Sequence, residues 1–390
     1  MTSTIFCSGN TAAALAFRHA GVEVLALYPI TPSTAAAEAL ALDVRDGLLD
    51  AEIIPVEGEN SAMTACMGAS LAGVRTATIT SSQGLLYMAQ QVFAAAGMRL
   101  PVVILDSTRA ISAPLNVNGD HGDAMAMRAA GCIQLFARTA EELYDLTLIA
   151  FPLAETVRLP VMVCYDGFSI SHTMTRVAVL SEDDARQFVG VYRPADALLA
   201  LDAPRTFGPV CGPHFYTEAR YSQRLALASS LAIFAELGDA YAARSGRAIR
   251  TLDAYQTVGA DDIVVLLGST AGTMRGVIDR LRETGRAVGM LSLACYRPFP
   301  EAEVREALQG AARVIVLDRS DDMGAPQGPL CTDVRSALYA LPAKRPHVTG
   351  FIYGLGGREL LPDEAMKIFS LDDDPTLSGS ESATYLQVRR

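Results

Sequence analysis

The chain has 390 residues, half of them hydrophobic and 19% charged, with a net charge of −11 and a pI near 5.0. That length exceeds one ordinary core and predicts two domains with a connecting element, while the acidic balance excludes a phosphate-backbone binder. The seven cysteines are scattered without a C-x-x-C pair and the five histidines without zinc spacing, which predicts a reducing compartment, no metal ligands and no ferredoxin-type cluster on this chain.

No run of 18 uncharged apolar residues occurs; the most apolar helical stretch, residues 225–237, is too short for a span. "MTSTIFCSGN" lacks a basic-then-apolar leader pattern. The expectation is a cytoplasmic protein.

In chain order, "GNTAAALAFRHAG" reads as a helix ended by Gly21, and "VEVLALYPI" as a strand. Next come a helix from "STAAAEALAL" with Ser33 as its N-cap, and "AEIIPV" as a strand. "ENSAMTACMGASLAG" is a helix of small residues, "RTATITSS" a strand, "GLLYMAQQVFAAAGM" one helix and "PVVILDST" a strand. "TAEELYDLTLIAFPLAETV" is a helix opening on a capping box of Thr139 and Glu142, and "LPVMVCYDG" is a strand. This alternation predicts an α/β domain over residues 1–175, a mostly parallel sheet with helices on both faces. Residues 176–255 break the pattern, as a Pro-rich extended arm and a long helix. Residues 256–390 resume it with strands "DDIVVLLGS", "AVGMLSLACY", "ARVIVLDRS" and "HVTGFIYGLGG".

Ligands of such sheets bind beyond the carboxyl ends of the strands. Five polar loops fall there: "PITPST", "EGEN", "SSQG", "STRAISAPLNVNGDHGD" and "DGFSISH". In the first, Thr31 stands between Pro29 and Pro32 on stiff, extended backbone. No G-x-G-x-x-G follows a first strand, which disfavours a nicotinamide dehydrogenase or a plain nucleotide binder. An acid at 57 or 59 favours a helix N-terminus whether or not it has a chemical role.

These pieces, with "LACYRPFP", "VLDRS" and "YGLGGREL", run in order over nearly the whole chain. The sequence resembles the α subunit of 2-oxoacid:ferredoxin oxidoreductases, the pyruvate:ferredoxin oxidoreductase type most of all. The resemblance implies a pyrimidine-binding thiamine-diphosphate fold joined to a transketolase C-terminal-like domain. It implies oxidative decarboxylation of a 2-oxoacid with coenzyme A to an acyl-CoA, with electrons passed to iron–sulfur clusters. A β subunit then holds the diphosphate and Mg²⁺, γ and ferredoxin-like δ subunits complete the assembly with [4Fe-4S] clusters, and ferredoxin or another carrier accepts the electrons.

By the same resemblance, Glu59 is the carboxyl that bonds the pyrimidine ring nitrogen and promotes the cofactor's own amino group as a base. Thr31 contacts the oxoacid carboxylate near the reactive carbon from a rigid loop, and Arg109 binds that carboxylate. Tyr28, Pro29, Ser82, Gln83 and Gly84, with Ser81, line the pyrimidine pocket. Asp120, His121 and Asp123 support the site, and Asp166 and Gly167 shape a loop. Two departures stand out: Ala129 and Cys132 replace an acid and an aromatic common in the family, and "SGNTAAA" replaces its usual "DGNEA". Pyruvate is the default substrate. The alternatives are a branched-chain oxoacid, an aryl one such as phenylglyoxylate, oxalate, or a non-catalytic scaffold.

Overall fold

A computed structural model describes residues 2–194, 196–342, 345–371 and 383–389. The first unit opens with β1 (Thr2–Cys7), α1 (Gly9–Ala20), β2 (Val24–Leu27), α2 (Thr34–Arg45), β3 (Glu52–Pro55) and α3 (Glu59–Ala72). It continues through β4 (Thr76–Thr80), α4 (Ser82–Tyr87), α5 (Ala89–Met98), β5 (Val103–Thr108), α6 (Gly122–Ala126) and β6 (Ile133–Phe136). Then come α7 (Ala140–Val157), β7 (Val161–Asp166), β8 (Thr175–Leu180), α8 (Glu182–Val189) and α9 (Pro213–Ser245).

Six strands lie in the order β6-β7-β5-β4-β2-β3, every pair parallel. The central strands β4, β5 and β7 are buried along their whole length, as a sheet covered by helices on both faces requires. Helix α7 is buried on nearly every turn and packs against α1 and α9. Its start departs slightly from the predicted capping box. Thr139 accepts from the Glu142 N–H at 3.1 Å, but Glu142 Oε2 accepts from the Arg138 N–H, one residue before the cap, at 2.7 Å. The helix predicted over "GLLYMAQQVFAAAGM" is two, broken at Met88, where ψ is 2°. Ser33 stands at the N-cap of α2 without capping it; its hydroxyl donates back to the Ile30 carbonyl at 2.8 Å.

Residues after 175 hold more than an arm and a helix. Strand β8 pairs antiparallel with β1, from Thr2 opposite Leu180 to Cys7 opposite Thr175, and α8 packs on α1 and α7. Among the described helices, α9 alone is long and apolar enough by length and composition to cross a membrane. Phe234, Gly238 and Tyr241 of its C-terminal half are buried where it lies along α7.

The second unit comprises β9 (Leu252–Tyr255), β10 (Asp262–Leu266), α10 (Thr270–Glu283), β11 (Val288–Leu293), β12 (Cys295–Arg297) and α11 (Glu301–Leu308). It ends with β13 (Arg313–Asp318), α12 (Pro329–Tyr339), β14 (His347–Ile352), α13 (Pro362–Leu371) and β15 (Thr384–Tyr385). Its sheet order is β15-β14-β13-β10-β11-β9, with β9 antiparallel to β11. Strand β12 leaves this sheet and pairs antiparallel with β6, adding a seventh strand to the first sheet. The two units are therefore joined by backbone pairing as well as by side chains.

Candidate active site

The loops after β2, β3, β4, β5 and β7 all leave the carboxyl edge of the first sheet. Tyr28 and Pro29 follow β2, half-buried and exposed respectively. Thr31 comes next, its side chain exposed and without a hydrogen-bond partner among the described residues. The loop is held from below. Asn10 of α1 donates to the Pro32 carbonyl at 2.8 Å, and Asn10 is itself fixed by the Tyr165 hydroxyl at 3.0 Å. Gly167 lets the loop pack down: a Cβ there would lie 2.9 Å from Pro32 Cγ and 2.5 Å from the Thr108 carbonyl oxygen.

Glu59 is the first residue of α3 and is buried, with no hydrogen bond to any described residue. Position 84 explains how it fits. A Cβ on Gly84 would stand 2.3 Å from Glu59 Oε1 and 2.8 Å from Thr80 Oγ1. The bare backbone of the "SSQG" turn is thus the floor on which the Glu59 carboxyl rests. Burial of an ionisable group without a partner is costly, and Glu59 has none among the described residues. Glu57, the other acid in the loop, is exposed and engages the Ser61 hydroxyl, which separates two residues that the local pattern left equivalent.

The turn beneath is strained and bolted. Ser82 is fully buried with φ of 54°, left-handed for a residue with a side chain. Its N–H donates to Asp123 Oδ2 at 2.7 Å, and its hydroxyl reaches the Ala110 carbonyl at 2.6 Å and the exposed Gln83 side chain. The Arg109 N–H donates to the same Asp123 oxygen at 2.9 Å. The buried Arg109 guanidinium then donates from Nε to the Asn116 carbonyl at 3.1 Å and from Nη1 to the Thr31 carbonyl at 2.8 Å. Its Nη2 has no partner among the described residues. Desolvation lowers the Arg109 pKa, against the Asp123 charge, which raises it. Thr31, Arg109, Asp123 and Ser82 form one hydrogen-bonded chain, and Gly84, two residues on, carries it to Glu59.

Asp120 and His121 turn the other way, into the joint with the second unit. Asp120 Oδ2 accepts from the Gly356 N–H at 3.0 Å. His121 Nε2 lies 2.6 Å from Asp166 Oδ1. Asp166 Oδ2 accepts from the Ser269 N–H at 2.6 Å, ahead of α10, and meets Arg319 Nη1 at 3.2 Å. Burial alone would raise the Asp166 carboxyl; Arg319 and His121 overcome it and hold it well below the ordinary range. Of the three residues expected to support the site, Asp123 touches its machinery and the other two secure the adjoining unit.

Sequence reading missed Asn10, Asn116, Asp106 and Arg319 as participants. Asn116 carries both the Arg109 contact and, from Nδ2, a 3.0 Å bond to the Gly356 carbonyl. Asn10 lies in the "SGNTAAA" segment, where it keeps the Asn of the family's "DGNEA" while Ser8 and Thr11 depart from it, and that retained Asn was the available signal. Ala129 is exposed beside a cleft of about 660 Å³ between α9 and the second unit, and Cys132 is buried.

Comparison with known proteins shows the family. The family model described as "Pyruvate flavodoxin/ferredoxin oxidoreductase, thiamine diP-bdg" matches residues 15–239, and "Pyruvate:ferredoxin oxidoreductase core domain II" matches residues 260–365. The chain is 42% identical over 384 residues to pyruvate synthase subunit PorA of Thermotoga maritima, covering 98% of this chain and 97% of that one. It is 37% identical to ketoisovalerate oxidoreductase subunit VorA of Pyrococcus abyssi, covering 93% and 91%. A solved structure of 2-oxoglutarate:ferredoxin oxidoreductase from Magnetococcus marinus matches at a TM-score of 0.74 and 20% identity, covering 95% of this chain and 65% of that chain. At that identity the likeness speaks for the fold.

Proposed function

The chain belongs to the 2-oxoacid:ferredoxin oxidoreductase family, and on that premise we propose that it supplies the pyrimidine-side half of a thiamine-diphosphate site acting on pyruvate. The observation that carries this is the buried, unpartnered Glu59 carboxyl resting on Gly84. A pyrimidine ring nitrogen is the kind of group it lacks. Bound thiamine diphosphate supplies the carbon that adds to an oxoacid carbonyl and the electron sink for loss of CO₂.

This chain's residues do the rest on their side of the cleft. Glu59 holds and returns a proton at the ring nitrogen. Tyr28, Pro29, Gln83 and Gly84 shape the wall around that ring. Thr31 presents its hydroxyl from a loop already fixed by Asn10 and Arg109, so little entropy is lost on binding. Arg109 offers Nη2 to the oxoacid carboxylate, a charge-assisted bond. Among the described residues there is no group of three or more His, Cys, Asp or Glu that could hold a metal ion. In our reading a β subunit binds the diphosphate and Mg²⁺, and δ and γ subunits carry the [4Fe-4S] clusters and complete the enzyme. Coenzyme A takes the acyl group, ferredoxin or another carrier takes the electrons, and the assembly works in the cytoplasm.

The 37% identity to a ketoisovalerate enzyme subunit keeps a branched-chain oxoacid as the second reading. One experiment tests both. The chain alone is expected to show no turnover. Reconstituted with its partner subunits, it is expected to reduce a viologen dye fastest with pyruvate across a panel of oxoacids and coenzyme A. Full activity without partners overturns the shared-site reading, and a preference for 2-oxoisovalerate replaces the substrate.

A further inference from the structure

A group of buried oxygens without partners lies directly under the proposed site. It comprises Thr80 Oγ1 and both carboxyl oxygens of Asp106, none with a partner among the described residues. Thr80 and Asp106 are register partners on β4 and β5, so their side chains share one face of the sheet. That face carries the turn on which Glu59 rests, since Thr80 Oγ1 and Glu59 Oε1 both lie within 3 Å of the point where a Gly84 Cβ would be.

The charge that faces Asp106 is Asp123. Both residues are fully enclosed, and two carboxylates in one low-dielectric space do not ionise together. Hydrogen bonding decides which keeps the charge. Asp123 accepts three backbone N–H groups, from Ser82 at 2.7 Å, Arg109 at 2.9 Å and Ala124 at 2.8 Å, whereas Asp106 accepts none. Three converging donors call for an anion.

We propose that Asp123 is a positioning residue for the oxoacid reaction: one carboxylate oxygen ties the Ser82 turn to Arg109, while Asp106 stands beneath it as a neutral acid. The proposal rests on the reading of Arg109 as the carboxylate-binding group. It adds the reason that the substrate half and the cofactor half of the pocket keep register. Ser82 precedes the Gly84 floor by two residues, and Arg109 holds Thr31 by its carbonyl, so one oxygen sets the spacing between Glu59 and the substrate-facing pair.

The surroundings agree. Burial, above all, raises the Asp123 carboxyl to about 7, with Asp120 on its own loop adding to the rise and the three N–H donors opposing it. Burial and Asp123 push Asp106 well above the ordinary range. The other groups that bear on the pair are Arg109, just after β5, and Cys164 and Tyr165 on β7, with Asp166 on β7 beside Cys164. Burial keeps the Cys164 thiol and the Tyr165 phenol protonated, and Asp166 is neutralised by Arg319 and His121. Asp123 is therefore the member of this set that changes charge near neutrality.

The test uses the reconstituted enzyme with its partner subunits. In the unaltered enzyme the oxoacid KM is expected to rise as pH falls through about 7, because a protonated Asp123 loses its hold on two N–H groups. Asp123→Asn is expected to raise that KM about tenfold at pH 8, with kcat changed less than about threefold, and to flatten the rise. Asp106→Asn is expected to keep the rise. An oxoacid KM that ignores pH between 6 and 8 overturns the proposal, and this needs no variant to fold. So does a rise that Asp106→Asn removes and Asp123→Asn keeps. If Arg109→Ala raises KM and Asp123→Asn does not, the positioning role falls and the reading of the site stands. If neither moves KM, both fall.

Discussion

The molecule carries two carboxyl edges, one on each sheet, and they face each other across the joint. On the first, side-chain groups remain unspent: the Glu59 carboxyl, the Thr31 hydroxyl and Arg109 Nη2 have no partner among the described residues. On the second, the corresponding groups are consumed. The Ser269 N–H, the Arg319 guanidinium and the Gly356 N–H all bind acids of the first unit, and Tyr353 donates to Thr270 at 2.8 Å. Both edges have the polar loops that mark ligand sites in parallel sheets. On the reading proposed above, what distinguishes a working edge from a supporting one is whether its donors and acceptors are left free. The largest break of this comparison is expected at the free acid. Glu59→Gln in the reconstituted complex is expected to lower turnover by about 100-fold or more. Its unfolding midpoint is expected to stay within about 2 °C, since Glu59 bonds none of the described residues. Unchanged turnover means that the unspent carboxyl is the wrong acid.

The joint, where Asp166 of the first sheet meets the second edge, is expected to respond in stability before chemistry. Asp166→Asn leaves Arg319 buried at 7% exposure without its counter-charge. Removing one member of a buried pair typically costs about 3 kcal/mol or more, or a midpoint lower by roughly 5 °C or more in a protein of this size. Thermal unfolding followed by calorimetry checks this. A midpoint unmoved by Asp166→Asn would mean that the joint is not held by these charges.

The two edges also differed in how far the chain alone revealed them. The alternation of strands and helices and the five loops after the first strands follow from short-range pattern, and the structure agrees with both. Glu59 was separable from Glu57 through resemblance to a family; local pattern left them level, because any acid suits a helix start. The joint was invisible. Asp166 meets Ser269 across 103 residues, and Asp120 meets Gly356 across 236. Strand β12 reads locally as the end of a strand in the second unit, yet pairs with β6 of the first. No periodicity marks such choices, since they are made by tertiary packing. The arm hid β8 for the same reason: its partner β1 is the start of the chain. His121 sat in a conspicuous polar motif and was read toward the chemistry, although its ring serves the joint.

The smallest expected effect sharpens the comparison most, because two acids of the first sheet, Asp166 bound into the joint and Asp106 beneath the free groups, shift in opposite directions. Asp166 is held below its ordinary value of 3.8 by Arg319 and His121. Folding then favours its ionised form, so its contribution to stability is present above pH 4 and is lost as pH falls below it. Asp106 is raised far above 3.8 by burial and by Asp123. Its unfolded form gains from ionising above pH 4 while the folded form does not, so its contribution is present below pH 4 and is lost as pH rises. Midpoints measured from pH 3 to 8 are therefore expected to diverge. Relative to the unaltered chain, Asp106→Asn gains stability steadily as pH rises, and the deficit of Asp166→Asn narrows only on the acid side of pH 4. Parallel curves for Asp106→Asn and the unaltered chain would mean that Asp106 is paired in solution by something this structure does not contain. The contrast between a spent and an unspent edge would then have to be redrawn around that group.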